Sequence, residues 1–347
     1  MTVYSLDPLQ DPRWQDLLET HPHASIFHTP GWLNALRRTY GYKPILLTTA
    51  PPDARLTDGI PFCRIDSWLT GSRLVSVAFA DHCQPLVSKA DASADLLRQL
   101  QQICFREKYG YVELRLLNSD VLGLEDRTGL ANSESFAYHE LDLRPDLEII
   151  FRGLHPSCVQ RKIRRAEREG LTYEEGSFDR ILEQFYSLLI LTRRRHGLPP
   201  QPFAWFLNLR NCLRDAFKIH IASKDHQAIA SILTLRHKGT LVYKYGCSDA
   251  RFHATGAVPF LFWQAIQYGK ALGLCKLDLG RSDYEDQGLI AFKNHLGATS
   301  SRLNYYRYPY QPASRMDRRS VSRSRVWSYL PDSLLKAAGN LLYRHVG

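Results

Sequence analysis

Residues 275–310 read CKLDLGRSDYEDQGLIAFKNHLGATSSRLNYYRYPY, and the order of elements along this stretch decides the fold. Leu274, Lys276, Leu277 and Leu279 alternate over a run short and apolar enough for a buried strand. The strand is expected to end at Gly280-Arg281-Ser282-Asp283, a polar break of the kind beside which sites on α/β sheets lie. A short helix follows, with Leu289, Ile290, Phe292 and Leu296 facing inward and Lys293 beside Phe292. Gly297 suits the helix end because glycine accepts left-handed dihedrals. Residues 303–308 then read as a closing strand, stopped by Pro309.

This order resembles the closing segment of the FemAB-like branch of the GNAT acyltransferase superfamily. There an acidic-Gly-Arg-Ser/Thr strand end precedes a GL..FK pattern, a glycine and a Tyr-rich strand. Gly288-Leu289, Phe292-Lys293 and Gly297 fall on that pattern. The resemblance implies an α+β protein of two tandem GNAT-like domains. It also implies that Lys293 sits at the donor end of the site as a catalytic cation, with Phe292 packed against the donor or simply filling the core. Asp278 is the second catalytic candidate if it points inward at the strand end. Arg281 is a candidate for an acceptor phosphate or carboxylate. Asp278 and Arg281 could instead form a salt bridge that only shapes the loop.

Working outward, 347 residues at 44% hydrophobic can bury a sizeable core and are expected to form two domains. Forty-five basic minus 35 acidic residues leave a charge of +10, which suits anionic partners: phosphorylated substrates, CoA, RNA or an acidic membrane face. The first twenty residues lack the basic-then-apolar pattern of a signal peptide, and no run reaches the length of a spanning helix. A cytoplasmic protein is the expectation. Seven scattered cysteines with no C-x-x-C pair fit reduced thiols, and no HExxH occurs, so no metal is expected.

In the first half, Thr29 and Pro30 mark a helix start with Trp32, Leu33 and Leu36 on its apolar face. Strands are expected at 44–49, 59–65, 73–79, 111–116 and 138–143, with a helix over 94–109. The entry FHTPGWLNALRRTYGYKPILLTT resembles the first GNAT-like copy of FemAB-like proteins, which typically helps bind the acceptor. Asp81-His82-Cys83 offers a carboxylate, an imidazole and a thiol. Neighbouring strand residues face opposite sides, so Asp81 and His82 are read as a polar loop lining the acceptor pocket, or as a purely structural turn.

Arg144-Pro145 suggests a boundary, giving an N-terminal domain of 1–145, a C-terminal domain of 146–312 and a basic amphipathic tail of 313–347. Ser157 can cap a helix on which Arg161, Arg164, Arg165 and Arg168 share one face. The stretch resembles the segment that opens the second FemAB domain. In relatives acting on nucleotide-linked peptidoglycan precursors, that segment contacts the substrate phosphates. Arg161 and Arg164 are the first choices for that contact, beside the plain reading of a solvated basic helix.

A helix over 178–195 leads to His196, a candidate for substrate binding or for a general base. Strands at 217–222, 229–235 and 240–246 form the clearest sheet, with His237-Lys238-Gly239 as a hairpin turn. Tyr245, on the last of them, is a further substrate-binding candidate. The following loop carries Arg251 and Gly256 and enters an apolar helix. In CoA-using GNAT enzymes this turn is a Gly-rich pyrophosphate cradle, so Arg251 and Gly256 are the cofactor-binding candidates. The usual R/Q-x-x-G-x-G/A string is missing here, a departure that counts against acetyl-CoA and that the FemAB branch often shows, where the donor can be aminoacyl-tRNA; acyl-CoA or aminoacyl-tRNA is the expected donor. No tightly bound cofactor is expected.

The tail adds Arg315, Arg318, Arg319, Arg323 and Arg325, then Leu334, Leu335, Ala338, Leu341, Leu342 and Tyr343 at helical spacing. It could lie on the inner membrane face, or dock on the first domain or a partner. The function implied is acyl or aminoacyl transfer to an amine of a nucleotide- or lipid-linked cell-envelope precursor, of peptidoglycan or exopolysaccharide type, with tRNA as a possible partner. The alternatives are an acyl-CoA enzyme acting on an amino sugar or small amine, and a non-catalytic RNA- or membrane-binding scaffold. No RRM or KH signature supports the last.

Overall fold

The computed structural model describes residues 2–87, 90–118, 129–309 and 325–347. Strand β1 (Tyr4–Leu6) leads through helices α1 (Pro12–Thr20) and α2 (Pro30–Tyr40) to an antiparallel meander of β2 (Lys43–Thr48), β3 (Ile60–Ser67) and β4 (Gly71–Ser76). Helix α3 (Ala90–Arg106) crosses to β5 (Tyr111–Leu116), parallel to β4, and β6 (Ala131–Asp142) follows. After α4 (Leu147–Gly153) and α5 (Arg161–Arg168) the order repeats. Strand β7 (Thr172–Gly176) leads through α6 (Asp179–Arg195) and α7 (Phe203–Leu213) to the meander β8 (Phe217–Lys224), β9 (Gln227–His237) and β10 (Thr240–Ser248). Helix α8 (Ala257–Ala271) crosses to β11 (Lys276–Ser282), parallel to β10, and α9 (Gln287–His295) and β12 (Thr299–Tyr308) close the repeat. The α+β layering expected from the sequence is therefore present as two copies of one pattern.

Local chemistry sets these elements as the sequence suggests. The Thr29 hydroxyl accepts the Trp32 N–H at the start of α2, Pro30 occupies its first turn, and Gly41 at φ +74° ends it. Lys238 at φ +49° turns the chain between β9 and β10. The helix before α5 departs from expectation. The His155 ring, rather than Ser157, caps it, with Nδ1 accepting N–H from Ser157 and Cys158 at 3.2 Å each.

The chain packs as two compact units, one of residues 1–136, 302–322 and 340–347, the other of 137–301 and 323–339. The contiguous division at 145/146 needs correction on this point. The crossing falls inside β6, whose second half pairs with β11 while β12 pairs with β5, so each repeat's last strand is shared out by register and not by sequence order. The tail arginines up to Arg323 lie outside the described residues. Beyond them, a helix over Asp332–Leu342 buries Leu335, and Asp332 pairs with Arg194 of the second unit. In the first unit the Tyr42 hydroxyl donates to the Tyr343 carbonyl at 3.1 Å. Among the described residues no helix is long and apolar enough to cross a membrane.

The first unit carries a buried charge cluster. Glu113 on β5 accepts from Arg115 Nε at 2.9 Å and from Arg307 Nη2 at 2.6 Å. Burial pushes the Glu113 carboxyl up, but the two guanidiniums outweigh it and hold the group below the usual carboxylate value. Arg115 also donates to the Val77 and Ala80 carbonyls at 3.0 and 2.7 Å, fixing the turn that precedes Asp81.

The second unit buries His220 between three strands. Its Nδ1 contacts the Tyr173 hydroxyl at 2.7 Å, and its Nε2 contacts Thr234 Oγ1 at 2.9 Å. Tyr173 in turn donates to Glu175 at 2.7 Å, so it accepts from His220 and the imidazole is neutral with its hydrogen on Nδ1. Burial first, then Lys218, lowers the pKa from 6.5 to about 3. The unfolded chain therefore takes up this proton as pH falls below 6.5 while the folded chain does not. Stability should fall with pH through that window by up to about 1.4 kcal/mol per pH unit from this ring. Urea denaturation at pH 7.5 and pH 5 should show the loss, and His220→Gln should flatten the difference.

Candidate active site

The parallel pair β10 and β11 opens into a split. Its register runs Thr240↔Lys276, Leu241↔Leu277 and Val242↔Asp278, and then the two strands part. A bulge on each side turns them away from one another. One lies between Tyr243 and Tyr245 against β9, the other between Asp278 and Gly280 against β6. Gly280 takes φ +68°, which glycine accepts without a Cβ penalty. The buried Asp278 carboxylate accepts the Gly280 N–H at 2.7 Å and so pins the bulge. The strand ends at Ser282, inside the polar break expected over residues 280–283.

Lys293 reaches this opened strand from α9. Its ammonium donates to the Gly280 and Arg281 carbonyls at 3.0 Å each, with 3% of the residue exposed. Helical spacing placed Leu289, Ile290 and Phe292 inward with the lysine beside them; they are half-buried, and Lys293 is the buried residue of the helix. A cation at that depth is tolerable because main-chain oxygens replace its water. Opposite Gly280 in the ladder, His139 is fully buried. Burial first, then the charge of Lys293, lowers its pKa against a weaker pull from Asn294, so His139 adds no second cation there.

Aromatic rings cluster beside β10. Tyr243 of β10 lies 4.8 Å from Phe262 of α8, and Phe262 meets Phe292 edge-on at 5.3 Å. A Cβ on Gly246 would meet the Tyr243 hydroxyl at 2.2 Å, so the glycine makes room for this ring. Tyr245 is a correction. The bulge sends it to the other face, where its hydroxyl lies 2.9 Å from Trp205 Nε1 and its ring packs on Phe206. Tyr243, not Tyr245, faces Phe262 of α8. Counting residues along a strand cannot reveal a bulge, so the sequence held no signal for the exchange.

The other candidates fall as follows. Arg161, Arg164, Arg165 and Arg168 are exposed together on α5, with Arg165 held by Glu169 at 2.7 Å and Arg164 over the Phe151 ring at 5.7 Å. Arg281 is exposed at the end of β11, and His196 is exposed at the end of α6. Arg251 is fastened to Asp249 by paired contacts of 3.0 and 2.6 Å with its side chain 73% exposed. Gly256, at φ +84°, begins α8, and a Cβ there would lie 2.3 Å from the Lys162 carbonyl oxygen. The close approach of α5 thus explains this glycine without a phosphate. Gly256→Ala is expected to destabilise the second unit by roughly 2–5 kcal/mol, from overpacking and left-handed strain together. A lower urea midpoint at unchanged slope would report it.

Asp81 and His82 belong to the first unit. The Asp81 carbonyl accepts the Tyr305 hydroxyl at 2.7 Å, and the buried His82 ring packs edge-on against Phe27. Cys83 lies 3.4 Å from His28 Nε2. That nitrogen also lies 2.8 Å from the Gln84 carbonyl, to which it must donate, while Nδ1 accepts from Ser25. Without a lone pair aimed at the sulfur, His28 is no base, and burial pushes the thiol pKa up. A cysteine nucleophile is therefore not built here.

Residues 157–293 match the acetyltransferase (GNAT) domain family. Over 146 residues the chain is 25% identical to a UDP-N-acetylmuramoylpentapeptide-lysine N(6)-alanyltransferase of Weissella viridescens, spanning 41% of this chain and 43% of that protein. The alignment thus covers less than half the length of this curated relative. The crystal structure of FemX superposes with a TM-score of 0.70 at 13% identity, covering 90% of this chain and 98% of that one. A tandem GNAT protein from the clavulanic acid biosynthesis pathway gives 0.55 at 11% identity, covering 88% and 97%. Residues 157–293 thus carry the match to the GNAT acetyltransferase domain, and the fold of the chain is similar to that of FemX.

Proposed function

We propose that the protein is an N-acyltransferase that moves an acyl or aminoacyl group onto an amine of a cell-envelope precursor. The observation that carries this reading is the split between β10 and β11, with the Lys293 ammonium seated on β11 just beyond it. The acceptor nitrogen attacks the donor carbonyl carbon and a tetrahedral oxyanion forms. The C–O bond to tRNA, or the C–S bond to CoA, then breaks. The proton lost by the amine matches the one gained by the departing hydroxyl or thiol, so no covalent acyl-enzyme and no net proton are required.

In this reading Lys293 stabilises the oxyanion in a water-poor setting, where a fixed cation counts for most. Asp278 is a positioning residue: it holds the bulge whose carbonyls hold Lys293. Phe292, Phe262 and Tyr243 orient the acyl group and exclude water, and Arg281 faces the acceptor. The exposed guanidiniums of Arg161 and Arg164 suit the phosphates of a nucleotide- or lipid-linked acceptor.

The similarity to the Weissella alanyltransferase supports an aminoacyl group and a peptidoglycan-type precursor. Two features favour charged tRNA over acyl-CoA as donor. The Gly-rich string is missing, and α5 backbone approaches Gly256 where a CoA pyrophosphate would need room. Peripheral contact with the inner membrane face through the tail belongs to the same proposal.

Purified protein incubated with acetyl-CoA, longer acyl-CoAs and alanyl-tRNA, each with UDP-N-acetylmuramoylpentapeptide as acceptor, tests the donor. Consumption of the charged tRNA with mass gained on the acceptor is expected. Saturable thiol release from a CoA ester would replace that donor assignment. Consumption of no donor would remove the enzymatic reading.

A further inference from the structure

Two histidines and a cysteine distant in sequence meet beside the site. His155 caps the helical turn Pro156–Gln160 that leads into α5, Cys158 lies within that turn, and His295 is the last residue of α9. One ligand atom from each lies within 4.8 Å of the others, and all three residues are half-buried, so solution has access to them. The His155 and His295 rings sit 4.3 Å apart, and the His155 N–H donates to the His295 carbonyl at 2.8 Å. That backbone bond fixes the two segments against each other, leaving the side chains little to reorganise.

We propose that His155, Cys158 and His295 form a binding site for zinc(II), with solvent completing a tetrahedral set. Two imidazoles and a thiolate are borderline-soft donors of the kind zinc selects, and three protein ligands leave one position open. Tetrahedral zinc holds such atoms about 3.3–3.6 Å apart. The present spread therefore has to close by roughly an ångström, within reach of side-chain rotation. Binding converts the Cys158 thiol to a metal thiolate and releases its proton to solvent. His155 has a second adjustment to make. Its Nδ1 lone pair now takes the Ser157 and Cys158 N–H groups at 3.2 Å, long contacts that metal binding would weaken or exchange for the other tautomer.

Zinc held here would tie the approach to Arg161 to the end of the helix that carries Lys293. The sequence hid the site because H-x-x-C supplies two ligands and the third lies 137 residues later. The proposal concerns metal binding alone and stands whether or not the acyl-transfer reading holds.

Cobalt(II) is the probe, added to the full chain after treatment with a chelator and a thiol reductant. A near-ultraviolet thiolate-to-cobalt charge-transfer band and the visible bands of tetrahedral cobalt are expected at one equivalent per chain, both erased by added zinc. Cys158→Ser should abolish the charge-transfer band, and His295→Gln should weaken zinc binding at least tenfold, with circular dichroism unchanged in each. The absence of tetrahedral cobalt bands in the wild type would overturn the proposal. So would a charge-transfer band that survives in Cys158→Ser, since it would come from another thiol such as Cys275.

Discussion

Replacing Lys293 with methionine is expected to cut acyl transfer by about 10²–10³-fold at saturating substrates, the usual cost of losing one oxyanion-stabilising group. Methionine keeps much of the length and apolar stem of lysine but carries no charge. It also leaves the Gly280 and Arg281 carbonyls without the two bonds of 3.0 Å that they now accept. Some stability should therefore be lost with the activity. The two effects separate by measuring kcat on protein whose circular dichroism and melting curve show it folded at the assay temperature. A fall in kcat with KM nearly constant fits a group acting on the transition state. A purely structural lysine would show normal kcat per folded molecule.

Glu113→Ala should give the largest loss of stability in the first unit, about 3–5 kcal/mol, because it strands two buried guanidiniums. Arg115 and Arg307 share this one carboxylate, at 2.9 and 2.6 Å, among side chains that are almost wholly enclosed. Arg307 also lies over the Tyr111 ring at 4.3 Å, and Arg115 over Tyr305 at 5.0 Å, so neither can swing out to water without giving up packing. The comparison that identifies the cause is Glu113→Leu combined with Arg115→Met and Arg307→Met. Removing all three charges should restore much of the loss, whereas the single change should not. Urea denaturation of both proteins measures it.

The sequence carried the fold further than the site. Alternation at Leu277 and Leu279, the Thr29-Pro30 helix start and the meander of 217–246 are local signals, and each appears where its periodicity placed it. What failed depends on register or on distant partners. Leu279 falls in a bulge between Asp278 and Gly280 that alternation gives no sign of. Tyr243 and Tyr245 straddle another bulge and exchange faces. Ser157 is a good cap by residue type, but the helical turn starts two residues earlier, where the His155 ring takes the N–H groups of residues 157 and 158. Lys293 was named through a family pattern, and its burial was not foreseen. Helical spacing assigns a lysine to solvent unless something inside the protein replaces its water. Here the carbonyls of residues 280 and 281, a dozen positions earlier, do so. The domain boundary failed for a related reason: Arg144-Pro145 is a plausible break in composition, but strand pairing divides β6 several residues before it.

The central claim is that the transferred acyl group lies in the split of β10 and β11, beside Lys293. Photo-crosslinking tests it most directly, with alanyl-tRNA carrying a diazirine on the aminoacyl group, followed by mass spectrometry of the digested protein. The account predicts crosslinks on Tyr243, Phe262, Phe292 or Lys293 that unmodified alanyl-tRNA competes away. Competable crosslinks confined to peptides outside residues 240–295 would contradict it.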